Sequence, residues 1–287
     1  MGMAPCRVYI GFGMLFGLFL KGVLLSPIYA GALEVPLFER NNYVLTKKKT
    51  LQGVGKDSSG LAYCPATKTF FIADDEGTVF EITPQGEAVR KIPLEGFLDV
   101  EGISYIGGST FALIEEGLGH LDLVTIDSTT QALNIRDAKT YNIELNLDNN
   151  GLEGMAYSKE EDVFYLAKQK KPRKIYRVKL GSSKPVITIP FDAEWLPVRD
   201  ISDLYLNSKI SPHLIVLSSK SNRILEVDQK TGRTLSSFSL LLHIYLQKPE
   251  GLTFDEEGRM YIVTEGSVDN FFCFEPKDQA TSKKGIQ

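Results

Sequence analysis

Apolar residues in this chain come in short runs, each closed by a cluster of turn-forming residues. A turn at Pro65-Ala66-Thr67-Lys68 leads into Phe70-Phe71-Ile72-Ala73, and Asp74-Asp75-Glu76-Gly77 leads into Val79-Phe80-Glu81-Ile82. Pro84-Gln85-Gly86 then precedes Val89-Arg90-Lys91-Ile92. The same grammar returns near the end, where Asp255-Glu256-Glu257-Gly258 precedes Met260-Tyr261-Ile262-Val263 and then Phe271-Phe272-Cys273-Phe274. Runs of this length, broken by Gly, Pro, Asp and Asn, predict strands and tight turns rather than helices.

The strands are ordered by a repeat. Ser59-Gly60-Leu61-Ala62-Tyr63, Glu101-Gly102-Ile103-Ser104-Tyr105, Glu153-Gly154-Met155-Ala156-Tyr157, Ser202-Asp203-Leu204-Tyr205-Leu206 and Glu250-Gly251-Leu252-Thr253-Phe254 are variants of one segment. Counted along the glycine column, with Asp203 in the fourth copy, the steps are 42, 52, 49 and 48 residues. That period suits a four-stranded propeller blade. The last copy has room for only three strands, and an open ring would leave an unpaired edge. The extended Asn42-Tyr43-Val44-Leu45-Thr46 can supply the missing outer strand. The expectation is an all-β, five-bladed β-propeller closed by an N-terminal strand. Six blades would need a sixth motif, and a β-sandwich would not need such similar strand starts.

Composition agrees: of 287 residues, 25 are Gly and 13 Pro, as a chain of many strands and turns requires. The first 32 residues differ from the rest. They hold no acid, carry Arg7 ahead of an apolar stretch from Val8 to Leu20, and end in Ala30-Gly31-Ala32. That is the layout of a secretory signal cleaved after Ala32, with an uncleaved membrane anchor as the alternative. The expected product is exported, periplasmic or held in the cell envelope, with the propeller over residues 33–276 and a polar tail over 277–287. Without residues 1–32 the chain has 30 basic and 36 acidic residues, a balance that excludes nucleic acid as a partner. Cys64 and Cys273 then remain, either as a disulfide or as two buried thiols.

In a propeller the innermost strand begins at the same end of the channel as the turn between the second and third strands. Asp57, Asp99, Glu101, Glu153, Asp200 and Glu250 stand at strand starts; Asp74, Asp75, Glu76, Glu115, Glu116 and Glu265 stand in the turns. So many anions around one mouth repel unless a cation offsets them, and hard oxygen donors from several loops suit Ca²⁺. The candidate ligands are Glu101, Glu153, Glu250, Glu116, Glu265 and Asp200. Zinc is not expected from His120, His213 and His243, which lack ligand spacing. One turn departs from the pattern, Lys168-Gln169-Lys170-Lys171-Pro172-Arg173-Lys174, and Lys168, Lys170 and Lys171 are candidates for gripping an anion. Trp195 and Phe191 read as linker or core packing.

Asp-Val-Glu-Gly-Ile-Ser-Tyr at 99–105, Gly-Leu-Glu-Gly-Met-Ala-Tyr at 151–157, Ile-Val-Leu-Ser at 215–218, Pro-Glu-Gly-Leu-Thr-Phe at 249–254 and Tyr-Ile-Val-Thr-Glu at 261–265 resemble the SdiA-regulated (YjiK/CarP-like) family over about residues 42–276. The resemblance implies a five-bladed propeller distantly similar to NHL-repeat propellers, exported or membrane-anchored, with a calcium site. It also implies that Glu101, Glu153 and Glu250 are the motif acids, with Glu116 and Glu265 at the turns. Asp203 in place of the motif glycine, and Lys220 where an acid is expected, depart from it.

The expected function is calcium binding in the bacterial envelope, with a small ligand or protein recognised on the acidic face by a monomer. Membrane contact would come only through an uncleaved anchor. The alternative is a calcium-dependent hydrolase of a phosphoester (phytase-like) or a lactone, with a spare carboxylate such as Glu115 as base. The chain carries no G-x-S-x-G elbow and no phosphate-binding loop.

Overall fold

The computed structural model describes residues 35–143, 145, 151–181, 184–243, 247–266 and 269–284. The signal or anchor expected at residues 1–32 lies outside them. Among the described residues no helix is long and apolar enough to cross a membrane.

Five antiparallel sheets form the ring, each built outward from a motif strand. Blade 1 runs Ser58–Cys64, Thr69–Asp74, Thr78–Ile82 and Ala88–Glu95; blade 2 runs Val100–Gly107, Thr110–Glu115, His120–Thr125 and Lys139–Asn142. Blade 3 runs Leu152–Ser158, Val163–Lys168, Lys174–Lys179 and Val186–Thr188; blade 4 runs Asp203–Asn207, Ser211–Ser218, Arg223–Val227 and Thr234–Ser239. Blade 5 holds Lys248–Phe254, Met260–Glu265 and Asn270–Pro276 and takes its outer strand, Tyr43–Thr50, from the start of the chain. The expected closure is therefore present. A short excursion from blade 2, Leu133–Asn134, adds a parallel fifth strand to blade 1.

The motif glycines are explained by how the inner strands meet. A Cβ on Gly60 would lie 2.9 Å from Ile103 N, one on Gly102 2.8 Å from Glu153 O, and one on Gly154 2.6 Å from Asp203 Cα. One on Gly251 would lie 2.7 Å from Leu61 Cβ, which completes the circuit. Only a residue without a side chain lets neighbouring strands approach this closely. The apolar residues between them divide into five clusters, one at each junction of neighbouring blades. At the closing junction Phe70 of blade 1 packs 4.4 Å from Tyr261 and 5.2 Å from Phe271 of blade 5, centroid to centroid.

Buried Glu226 of blade 4 fixes the chain's entry. Its carboxylate accepts from Leu37 N at 2.5 Å, Ser211 Oγ at 2.6 Å and Ser236 Oγ at 2.7 Å, so the short helix Leu37–Arg40 is tied to this blade before the chain crosses to blade 5. Cys64 and Cys273 are free and buried, at separate junctions. The segment read as a polar tail forms a helix over Lys277–Lys284.

Candidate metal centre

The mouth is built by an irregularity of the inner strands. Their pairing slips between Ser58 and Gly60, Val100 and Gly102, Leu152 and Met155, and Pro249 and Gly251. Ser59, Glu101, Glu153 and Glu250 sit in these slips. A β-bulge re-aims the extra side chain, which here leaves the ladder for the channel. In blade 4 the regular pairing begins at Asp203 with Leu217, and no slip precedes it. That difference accounts for the missing glycine. Asp203 turns its carboxylate sideways, accepting from Leu204 N at 2.8 Å, from Met155 N of blade 3 at 3.4 Å and from Leu252 N of blade 5 at 2.7 Å. Burial holds its carboxyl well above the usual range, against the pull of these three donors.

Glu101, Glu153 and Glu250 share one electrostatic environment. Burial raises Glu153 to about 9, with the charges of Glu101, Glu250 and Glu116 adding to it and Lys170 opposing. Burial raises Glu101 to about 8, with a hydrogen bond from Ser59 opposing and Glu116, Asp99 and Asp75 adding. Glu250 is raised to about 7, again chiefly by burial; it accepts from Ser219 Oγ at 3.0 Å. On the wall shared by blades 1 and 2, carboxylate oxygens of Asp75, Asp99 and Glu101 all lie within 4.8 Å of one another. Asp75 is raised to about 6 by partial burial and then by Asp57, Asp74, Asp99 and Glu265. Asp99 reaches this place from a left-handed backbone, φ 56°, which aspartate tolerates better than most residues. The linker and the turn are held together there: Glu116 N donates to Asp99 O at 2.9 Å, and Asp75 N to Asp57 O at 3.3 Å.

The other candidates divide. Glu116 stands at the mouth, its Oε1 accepting from Gly151 N at 3.1 Å. Glu265 is ion-paired with Lys248 at 2.5 Å. Asp200 is buried, and its carboxylate is engaged by Ser218 Oγ at 2.5 Å and Lys220 N at 3.0 and 3.1 Å, so it braces the blade 4 turn. Glu115 is also turned inward, accepting from Leu98 N at 2.6 Å beside His120, and is not a base open to substrate. Lys170 and Lys171 are exposed, whereas Lys168 is 1 % exposed and is not offered to solvent with them. Trp195 is not packed into a linker or core; it stands in solvent, while Phe191 is buried as read. The far end of the channel is a separate cavity of about 500 Å³, lined by Tyr63, Tyr105, Tyr157 and Phe254.

Asp75 and Asp99 are among the mouth acids of the sequence but outside its candidate ligand set. Their repeat positions place both at the mouth end of the channel. That they converge on Glu101 depends on contact between neighbouring blades, which one blade's pattern does not encode.

Solved structures with the same fold include a glutaminyl cyclase from Myxococcus xanthus, 13 % identical with a TM-score of 0.60, covering 82 % of this chain and 97 % of that one. A gluconolactonase from Xanthomonas campestris is 14 % identical with a TM-score of 0.51, covering 85 % and 93 % respectively. At such identities the likeness is one of fold. The sequence model of the SdiA-regulated family matches residues 37–275, nearly the whole propeller, and the chain belongs to that family.

Proposed function

We propose that this propeller is an exported protein of the cell envelope that binds calcium at the acid mouth and uses the bound ion to recognise a small ligand or a protein. The observation that carries the reading is the convergence of Asp75, Asp99 and Glu101, with carboxylate oxygens within 4.8 Å of one another. Oxygens bound to one Ca²⁺ at 2.3–2.6 Å lie no more than about 5 Å apart. The donor chemistry fits as well, since all three ligands are hard carboxylates. The histidines are engaged elsewhere, His120 beside Glu115, His213 on Glu226 at 3.1 Å and His243 stacked on Phe238. Glu116 and Glu153 stand close enough to raise Glu101 or be raised by it, and would extend the ligand field toward the axis.

The hydrolase alternative loses the base named for it, because Glu115 is buried and bonded to Leu98 N. It has no observation of its own in its favour.

Calcium that binds only the folded chain stabilises it by about 2.7 kcal/mol at a hundredfold excess over Kd. For a propeller of this size that is a rise in Tm of roughly 5–10 °C. Thermal melts of the metal-stripped protein with and without calcium should show it, and Asp75→Asn with Asp99→Asn should abolish most of it. A Tm indifferent to calcium would refute the reading.

A further inference from the structure

Trp195 is the only tryptophan in the chain, and it is 80 % exposed. Its loop is not loosely held. Asp192 Oδ1 accepts from Glu194 N at 3.0 Å and caps the turn Ala193–Trp195. Arg173, from the basic turn of blade 3, reaches across with a buried side chain and donates to Glu194 O at 2.9 Å and to Val198 O. Its backbone N donates to Glu194 Oε1 at 2.5 Å. On the other side Arg199 N donates to Ser221 Oγ at 2.9 Å, in the blade 4 turn that carries Lys220. The turn 168–174, the loop 192–199 and the turn 219–222 thus form one braced platform.

The charges on this platform are unevenly used. Asp192 and Glu194 are occupied within it, Glu194 also pairing with the Arg173 guanidinium at 3.6 Å. Lys170, Lys171, Arg199 and Lys220 are exposed, and none makes an ion pair among the described residues. An exposed indole therefore stands on a braced platform that also carries four exposed cations, on a chain whose overall charge is negative. Other apolar tips stand on separate turns and linkers at the same end: Leu98, Leu118 and, at 93 % exposure, Leu242. Each of these tips belongs to a different inter-strand turn or inter-blade linker. A fluid interface accepts isolated insertions, with tryptophan at the headgroup level and cations against phosphate.

We propose that the Trp195 platform docks on an anionic lipid surface, with Lys170, Lys171, Arg199 and Lys220 against headgroup phosphates and the indole in the interfacial layer. The exposed acids Glu76 and Asp99 at the mouth would be repelled by the same surface, so contact is made by the edge of blades 3 and 4, with the acid mouth tilted away. This docking does not depend on calcium at the mouth.

The single tryptophan makes the test specific. Arg40 Nη2 donates to Ile210 O and Tyr43 OH to Gly258 O, so the chain enters the propeller at the opposite end. Vesicles of phosphatidylcholine with phosphatidylglycerol should shift the emission of the full chain to the blue and cut acrylamide quenching about twofold or more. Phosphatidylcholine alone should do neither, and Lys170→Glu, Lys171→Glu and Lys220→Glu together should remove the effect while the circular dichroism melt shows a folded protein. An equal response to phosphatidylcholine, or an undiminished one in the triple variant, would overturn the proposal. So would silence with both vesicles, which would leave an acidic protein surface as the platform's occupant.

Discussion

Asp203→Ala is expected to destabilise the ring by about 3–5 kcal/mol, more than any substitution on the outer strands. The carboxylate joins three blades, taking Met155 N and Leu252 N from the inner strands on either side and Leu204 N from its own. Alanine leaves these buried donors without an acceptor, and each orphaned group costs about 1–3 kcal/mol. Asp203→Gly would restore the glycine of the other motif copies yet lose the same acceptors, so it should be no milder. Asp203→Asn keeps one oxygen and should lose less than either. Urea unfolding with an unchanged slope and a midpoint shifted in the order Asn, then Ala and Gly would bear this out. A wild-type midpoint for Asp203→Ala would mean that the ring does not rely on this carboxylate.

The second large effect is in pH. In metal-free protein the Tm should fall as pH rises from about 6 to 9. Burial lifts Glu250, Glu101 and Glu153 to about 7, about 8 and about 9, while a free glutamate titrates near 4.5. Across that window the folded chain holds protons that the unfolded chain has released. Stability therefore declines with rising pH, beginning above the unfolded value and finishing once Glu153 has ionised. Each retained proton contributes up to about 1.4 kcal/mol per pH unit, reduced here because the three side chains keep part of their surface in solvent. A loss of roughly 3–8 °C between pH 6.5 and 8.5 is the expected scale. Calcium should flatten the curve by supplying the positive charge that protons otherwise supply, and Glu153→Gln should flatten it without calcium. A Tm that rises over this range would contradict the electrostatics of the mouth.

The ring was legible because its constraints recur. Gly60, Gly102, Gly154 and Gly251 stand where backbones touch, and nothing larger fits, so the period survives in the letters. The closing strand was legible from the mismatch between three strands at one end and one at the other. The site was less so, because side-chain direction near a turn changes with one residue. Glu115 and Glu116 are adjacent, yet the first turns inward to Leu98 N and the second faces the mouth. Asp200 occupies the strand start like Asp99 but bonds the blade 4 turn, since no bulge follows it to carry a motif acid into the channel. Lys168 and Lys170 differ in the same way, one ending a buried strand and the other exposed in the turn. Trp195 looked like packing because tryptophan is usually well buried; here the groups bracing its loop hold the backbone and leave the ring out.

Isothermal titration of the metal-stripped chain with calcium reaches the claim on which the function rests. One saturable site per chain is expected, weakened at least about tenfold by Asp75→Asn with Asp99→Asn and unchanged by Asp192→Asn, whose carboxylate serves the Trp195 loop. Absence of saturable binding, or binding indifferent to the loss of Asp75 and Asp99, would show that these carboxylates do not form a metal site.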